Sequence, residues 1–255
     1  MRKRKKWMWI GSAVIIVCIA GGSFFVWKQH ADSQMKAPVV NNPKPVAMDA
    51  GSEVRVMAVG GSVAHGWDDN VTDGGYLARA FKTLSQKTGV QYQFLNKSVE
   101  GDGPDQMAAK FPALLKDNRP QVLVISWGML DDISKKTPVA TFKKDVHSEI
   151  QQALAAHMKV LVVTPPVTAA SYAVHDGPLE DQLVEDEIQV AQSFHSSDVY
   201  VFNVFDEMKS YLTAHHQDVS MYEGDGWHPN AAGHELAGQL LAQDMLNQFV
   251  TTTKH

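Results

Sequence analysis

Two segments far apart in the chain contain residue types that nucleophilic catalysis needs. Ser62 directly follows Gly60-Gly61 at the end of an apolar, strand-like run, so its hydroxyl can lie at the open edge of a sheet beside free backbone N–H groups. Asp225 and His228 are separated by two residues. A turn at Gly226 can bring the carboxylate to Nδ1 of the imidazole, which leaves Nε2 available to a serine hydroxyl.

Each segment also has an ordinary structural interpretation. A serine after two glycines is more often a turn or cap residue than a nucleophile, and an Asp-x-x-His pair before a helix can be a simple Asx turn. Taken one at a time, the two segments do not decide between structure and catalysis. The decision depends on whether the fold brings Ser62 and His228 together.

The hydrophobic pattern alternates between strand-like and helix-like segments. Predicted strands lie at 54–59, 91–96, 121–126, 159–164 and 199–204, and predicted helices at 74–88, 104–116, 138–157, 180–195 and 230–249. Several of the strands are nearly continuous apolar runs, which is typical of strands covered by helices on both faces. The pattern predicts an α/β fold, a three-layer α/β/α sandwich around a mainly parallel five-stranded sheet.

Four polar, glycine-rich segments follow strands or precede the last helix. They are GGSVAHGW at 60–67, KSVEGDGP at 97–104, WGMLDD at 127–132 and YEGDGWHPN at 222–230. In parallel sheets, functional side chains gather in the loops at the carboxyl ends of the strands. The first three segments are therefore expected to share one rim of the sheet.

Together, the four segments resemble the sequence blocks of the SGNH (GDSL-like) hydrolase family over residues 54 to about 248. The chain lacks the Gly-x-Ser-x-Gly elbow of the α/β-hydrolases. The resemblance implies a flavodoxin-like fold and a triad of Ser62, Asp225 and His228. It also implies that the N–H groups of Ser62 and Gly101 bind the oxyanion.

Two positions depart from the family pattern. Gly61 replaces the usual aspartate of the first block, and the third block lacks the expected Gly-x-Asn-Asp. Leu130 stands at the asparagine position if the spacing is kept, and Asp131 stands there if one residue is inserted. Loss of one oxyanion donor typically lowers turnover about 10²- to 10³-fold. Asp131 could donate as a neutral acid, another donor could replace it, or the enzyme could be slow.

The resemblance implies two-stage acyl transfer by a serine esterase, with His65, Trp67 and Trp227 at the substrate mouth. The expected substrate is an ester-bearing small molecule, or an envelope glycan or lipid that carries ester groups such as O-acetyl. Two alternatives stay open. One is an O-acyltransferase on the same fold, and the other is a non-catalytic module that binds an envelope glycan or a partner protein.

No cofactor or metal is expected. Cys18 is the only cysteine, so thiolate-rich metal sites and intramolecular disulfides are excluded. The pair His215-His216 is expected on a helix end or loop. His234 follows His228 by six residues and is expected to face away from it on the last helix. A shared metal site of these histidines with Asp225 is therefore not predicted.

The first residues have a membrane-targeting pattern. Residues 1–6 form a basic tail, and residues 7–27 contain no charged side chain and have tryptophans at both ends. This length suits one membrane-spanning helix, with the tail in the cytoplasm and the rest of the chain outside. The sequence predicts a signal anchor in the cell membrane, with a cleaved signal peptide as the alternative.

Residues 28–53 are rich in polar residues and proline and are expected to form a flexible linker. The catalytic domain is expected over 54–250, with a tail at 251–255. After residue 28 the chain carries 17 basic and 28 acidic residues. This acidic balance argues against nucleic acid as a partner of the domain. The sequence does not decide the oligomeric state of the protein.

Overall fold

The computed structural model describes residues 40–70 and 72–253. The strands are β1 (Val46–Asp49), β2 (Glu53–Gly60), β3 (Gln91–Asn96), β4 (Val122–Ser126), β5 (Lys159–Val163), β6 (Val199–Phe202) and β7 (Val250–Thr253). The α-helices are α1 (Ser62–His65), α2 (Gly75–Thr88), α3 (Pro104–Met107), α4 (Phe111–Asn118), α5 (Leu130–Lys135), α6 (Val139–Ala155), α7 (Asp176–Ser193), α8 (Val204–Ala214) and α9 (Ala231–Gln248).

The central sheet confirms the predicted three-layer α/β fold. Its five strands are all parallel and lie in the order β3-β2-β4-β5-β6. Every residue of β4 is buried, because helices cover the sheet on both faces. Helix α2 packs against α9, and α6 packs against α7. Right-handed crossovers place these two pairs on opposite faces, since the chain moves in opposite directions from β2 to β3 and from β4 to β6.

The strand order reverses at β2, which positions the site. The chain adds β3 on one side of β2 and then β4 on the other. A crevice therefore opens at the carboxyl ends of β2 and β4, where α/β sheets commonly bind ligands. The loops after β2, β3 and β4 all reach this crevice.

Some predicted boundaries differ from the structure. The helix predicted over 104–116 is two short helices, α3 and α4, and α8 was not predicted. The strand predicted over 199–204 ends at Phe202, because Asn203 begins a helix instead. The Asn203 side chain accepts a hydrogen bond of 3.2 Å from the N–H of Asp206 and thereby caps α8.

The segment expected as a flexible linker is docked on the domain from Asn42 onward. The Asn42 amide donates to the carbonyl of Val201 at 2.7 Å and accepts from the N–H of Val201 at 2.7 Å. It thus satisfies peptide groups on the open side of edge strand β6. Strand β1 pairs in parallel with β7, so most of the expected tail belongs to the fold as well. Such a short pair shows too little hydrophobic periodicity to be predicted.

Replacement of Asn42 by alanine is expected to lower the free energy of unfolding by about 1–3 kcal/mol, because the paired groups of Val201 lose their partner. Urea denaturation of Asn42→Ala measures this loss. Asn41→Ala, at an exposed neighbouring position, is the control. Equal midpoints for the two variants would contradict a structural role for the Asn42 amide.

The predicted membrane anchor at 7–27 lies outside the described residues, as do the basic tail and Cys18. Between residues 40 and 253, leaving aside residue 71, no helix has the length and apolar character that crossing a membrane requires.

Candidate active site

Ser62 lies where β2 passes into α1. A Cβ at Gly60 would overlap the carbonyl oxygen of Ser126, so glycine allows the end of β2 to approach β4 closely. Ser62 is the first residue of α1, and N–H groups in a first helical turn have no acceptor within the helix. The side chain is largely buried, with 9% of the residue exposed. Nucleophile and free N–H groups thus come from the same turn.

Asp225 and His228 lie in the loop before α9. Gly226 has φ +90°, a left-handed conformation that favours glycine. The turn directs Oδ1 of Asp225 to the N–H groups of Trp227 at 2.9 Å and His228 at 2.8 Å. Partial burial opposes ionisation, but the imidazole and these N–H groups hold the pKa of Asp225 below its usual value. Asp225 is therefore an anion that orients His228.

The fold joins the three predicted triad residues. Ser62 Oγ lies 2.9 Å from Nε2 of His228, and Nδ1 of His228 lies 2.8 Å from Oδ2 of Asp225. Because the carboxylate can only accept, Nδ1 carries the proton and Nε2 is free to accept from the serine hydroxyl. The arrangement can activate a serine for attack on a carbonyl carbon.

Gly101 lies in the loop after β3 and has φ +73°. Lys135 fixes this loop by donating to the carbonyl oxygen of Gly101 and to Oε1 of Gln106. The next residue, Asp102, passes beside the nucleophile turn, since a Cβ built on Gly61 would lie 3.2 Å from its carbonyl oxygen. The predicted second oxyanion loop is therefore adjacent to Ser62.

Asp131, rather than Leu130, lies beside the nucleophile turn. A Cβ built on Gly61 would lie 3.2 Å from Oδ2 of Asp131, whereas Leu130 is buried. A tight turn at Met129, with φ +58°, lets the Leu130 N–H bond the Gly128 carbonyl at 2.6 Å. This turn accommodates the additional residue in the third block.

The environment of Asp131 raises its pKa above the ordinary aspartate value. Burial raises the pKa of Asp131, and Asp102 adds to the rise, while Lys135 and His228 oppose it. The two departures from the family pattern are thus neighbours in space, because the absent side chain at Gly61 leaves room for this carboxyl group.

Of the three predicted mouth residues, Trp67 contacts a triad side chain. The Trp67 ring lies 5.6 Å from the His228 ring and is 43% exposed, and Trp227 is 38% exposed. His65 is held through Nδ1 by the carbonyl of Ser98 at 3.2 Å. His215 lies at the end of helix α8, as expected, with Nδ1 2.8 Å from the carbonyl oxygen of Tyr211. Within the described residues, no cluster of histidine, cysteine or carboxylate side chains is arranged to bind a metal ion.

A buried carboxyl cluster under the third loop was not predicted. Glu149 accepts a hydrogen bond of 3.0 Å from the Trp127 indole, and Glu187 and Asp132 lie close enough to interact electrostatically. Burial raises the pKa of Asp132 to about 6 and raises those of Glu149 and Glu187 well above their ordinary values. In the sequence these residues look like ordinary polar helix positions, so no signal marked them.

This cluster predicts that stability falls as pH rises. A carboxyl group whose pKa is raised in the folded state contributes its full share of the folding stability below its unfolded pKa, near 4. This stability is lost as the pH rises through the pKa of the folded state. For Asp132 this loss falls between about pH 4 and pH 6. A two-unit shift in pKa corresponds to roughly 3 kcal/mol of folding free energy. We therefore expect the melting temperature to fall between pH 5 and pH 8.

Thermal unfolding of Glu187→Gln across the same range tests the cause. An amide cannot ionise, so the variant is expected to lose less stability with rising pH than the unmodified protein. Glu53→Gln, at an exposed position, is the control and should follow the unmodified protein. A Glu187→Gln profile parallel to the control would contradict the assignment.

Comparison with known proteins connects this geometry to a family. Residues 58–236 match the GDSL-like Lipase/Acylhydrolase family. A segment of 92 residues is 33% identical to Esterase TesA of Pseudomonas aeruginosa, and it spans 36% of this chain and 45% of that protein. The chain therefore aligns with less than half the length of that curated relative.

Solved structures share the fold. The crystal structure of TesA superposes with a TM-score of 0.60 at 22% identity and covers 76% of this chain and 99% of TesA. Axe2, an acetylxylan esterase from Geobacillus stearothermophilus, gives a TM-score of 0.64 at 15% identity over 78% of this chain and 97% of Axe2. At such identities the likeness concerns the fold, whereas the family match spans most of the chain. The chain therefore belongs to the GDSL-like lipase/acylhydrolase family, a family of ester hydrolases.

Proposed function

We propose that this protein hydrolyses esters through a Ser62-His228-Asp225 triad. The observation that carries the proposal is the continuous hydrogen-bonded chain from Ser62 Oγ to His228, at 2.9 Å, and on to Asp225, at 2.8 Å. A serine in a turn or an Asx turn before a helix does not require this alignment across 166 positions of sequence.

In the first stage, His228 Nε2 takes the proton of Ser62 as Oγ attacks the ester carbonyl carbon. The carbonyl π electrons move to oxygen and form a tetrahedral oxyanion. Asp225 stabilises the imidazolium that results. The tetrahedral intermediate then collapses, the bond to the alcohol oxygen breaks, and His228 returns the proton to the leaving alcohol. The acyl group is left on Ser62.

In the second stage, water gives a proton to His228 and attacks the acyl carbon. Collapse of the second tetrahedral intermediate releases the carboxylic acid, and His228 returns the proton to Ser62. The N–H groups of Ser62 and Gly101 stabilise the oxyanion in both stages. A neutral Asp131 carboxyl group is the proposed third donor, supported by its place beside Gly61 and by the direction of its pKa.

The proposed substrate class is a short acyl ester, such as O-acetyl, on a cell-envelope glycan. The exposed Trp67 ring beside His228 supports this class, as does the exposed Trp227 next to His228 in the chain, because aromatic faces can pack against sugar rings. Axe2, which shares the fold, is described as an acetylxylan esterase. A lipid ester is the other substrate of the same chemistry.

Labelling of the full chain with a fluorophosphonate, together with hydrolysis of p-nitrophenyl acetate, tests the activity. We expect mass spectrometry to find the label on Ser62, and we expect His228→Ala to abolish labelling. The buried Ser98 of the neighbouring loop is the internal control and should stay unlabelled. Label on another serine, with Ser62 unmodified, would refute the proposed nucleophile.

We propose that the protein acts outside the cytoplasm, anchored in the cell membrane by residues 7–27. The support is the uncharged run behind a basic tail. A fusion of alkaline phosphatase to the C-terminus, which is active only after export, tests this location. We expect an active fusion, and an inactive but intact one would place the domain in the cytoplasm.

A further inference from the structure

A second histidine lies between the turn that holds Ser62 and the helix that follows His228, without belonging to the triad. His234, in the first turns of α9, is fully buried. Its Nε2 lies 2.8 Å from the carbonyl oxygen of Trp67, and its Nδ1 lies 3.2 Å from the backbone nitrogen of Tyr76. A carbonyl only accepts and an N–H only donates. The imidazole is therefore neutral, with its proton on Nε2.

These two bonds join segments that the triad depends on. The N–H of Trp67 donates to the carbonyl of Ser62 at 3.1 Å, so Trp67 closes the turn that holds the nucleophile. The N–H of His234 donates to the carbonyl of Asn230 at 2.9 Å, and Asn230 caps α9 two residues after His228. The His234 ring thus connects the nucleophile turn to the helix that follows the catalytic histidine.

We propose that His234 is a positioning residue of the hydrolytic site, whose neutral imidazole keeps Ser62 Oγ within hydrogen-bond reach of His228. The inference rests on the proposed function, since His234 acts only through Ser62 and His228 and does not touch the reacting atoms. Small displacements of catalytic groups are costly, because a misplacement of about 1 Å can lower the rate about 10²-fold.

The same geometry makes the position sensitive to acid. The charged groups that face the imidazole are Asp68 and Asp69 from the loop after α1, and Arg79 from α2. Burial lowers the pKa of His234, Arg79 contributes in the same direction, and the aspartates and the Trp67 carbonyl oppose the shift. Protonation of Nδ1 would place a second N–H against that of Tyr76, so one of the two bonds would break.

Steady-state kinetics of the full chain with p-nitrophenyl acetate test the proposal in His234→Leu and His234→Gln. Leucine has neither donor nor acceptor, whereas glutamine has both and carries no titrating proton. At pH 7 we expect kcat of the leucine variant to fall about 10- to 100-fold with KM changed less than threefold. We expect the glutamine variant to keep kcat within about threefold of the unmodified protein.

A pH profile separates positioning from simple packing. We expect the glutamine variant to lose less kcat than the unmodified protein below pH 6, because it has no titrating group at position 234. Coincident acid profiles, or a glutamine variant as slow as the leucine variant at an unchanged melting temperature, would overturn the proposal. If the leucine variant does not fold, the glutamine profile alone decides. Failure of the proposed function is separate, since it would appear as full activity in Ser62→Ala.

Discussion

Replacing Ser62 by alanine is expected to lower kcat for p-nitrophenyl acetate by about 10⁴- to 10⁶-fold, the range found when a triad nucleophile is removed. The loss is this large because the acyl-enzyme can no longer form, and His228 has no hydroxyl to deprotonate at 2.9 Å. The remaining rate would come from the oxyanion donors, which still bind the carbonyl oxygen.

Removal of one hydroxyl should leave the fold intact, so the melting temperature is measured alongside the rate. Ser98→Ala is the matched control, because Ser98 is also a buried serine of the rim but lies in the loop after β3. We expect this control to keep most of its activity. Ester hydrolysis by Ser62→Ala at the unmodified rate would eliminate the triad, whereas the absence of hydrolysis by the unmodified protein would favour a module that binds without turnover.

Replacing Asp131 by alanine is expected to lower kcat about 10²- to 10³-fold, the effect of losing one oxyanion donor. The side chain has the position for this role, because Oδ2 approaches the space above Gly61. Burial, the main cause of its raised pKa, allows the protonated carboxyl to donate where an ionised one would repel the developing negative charge.

Asp131→Asn distinguishes a neutral donor from a repelling anion. An amide donates at every pH, so we expect the variant to match the unmodified protein at acid pH. At higher pH, where the unmodified Asp131 ionises, the variant should be the more active of the two. A rise in kcat of tenfold or more at all pH values would mean that the native side chain is an anion and that the enzyme is slow because of it. Unchanged activity in the alanine variant would mean that another group donates.

Much of the fold could be predicted because its signal is local. The strands of the central sheet are apolar runs such as VLVIS in β4. A strand in a sheet that is covered on both faces has few alternatives to apolar side chains. The order of strands and helices then leaves few topologies, since crossovers are right-handed. Asp225 and His228 could be paired for the same reason, because a single turn at Gly226 brings them together.

Other features depend on which segments meet after folding. The docking of Asn42 on β6 could not be predicted, because nothing within residues 40–49 marks the open strand edge that it covers. The helical positions of Glu149 and Glu187 give no indication that both face the Trp127 loop. His234 was expected only to face away from His228, and its position in the helix gave no indication of its bonds to Tyr76 and Trp67.

The sequence by itself determined the α/β architecture, the Asp225-His228 turn and the residue types of a hydrolytic site. Only the tertiary structure decided that Ser62 lies within hydrogen-bond reach of His228 and that Asp131, not Leu130, lies beside Gly61. The physical reason is the sequence distance over which each kind of interaction acts. Periodicity and turn chemistry act over a few residues, whereas the distance between Ser62 and His228, and the burial that sets the pKa of Asp131, arise only when the loops of separate strands pack at one edge of the sheet.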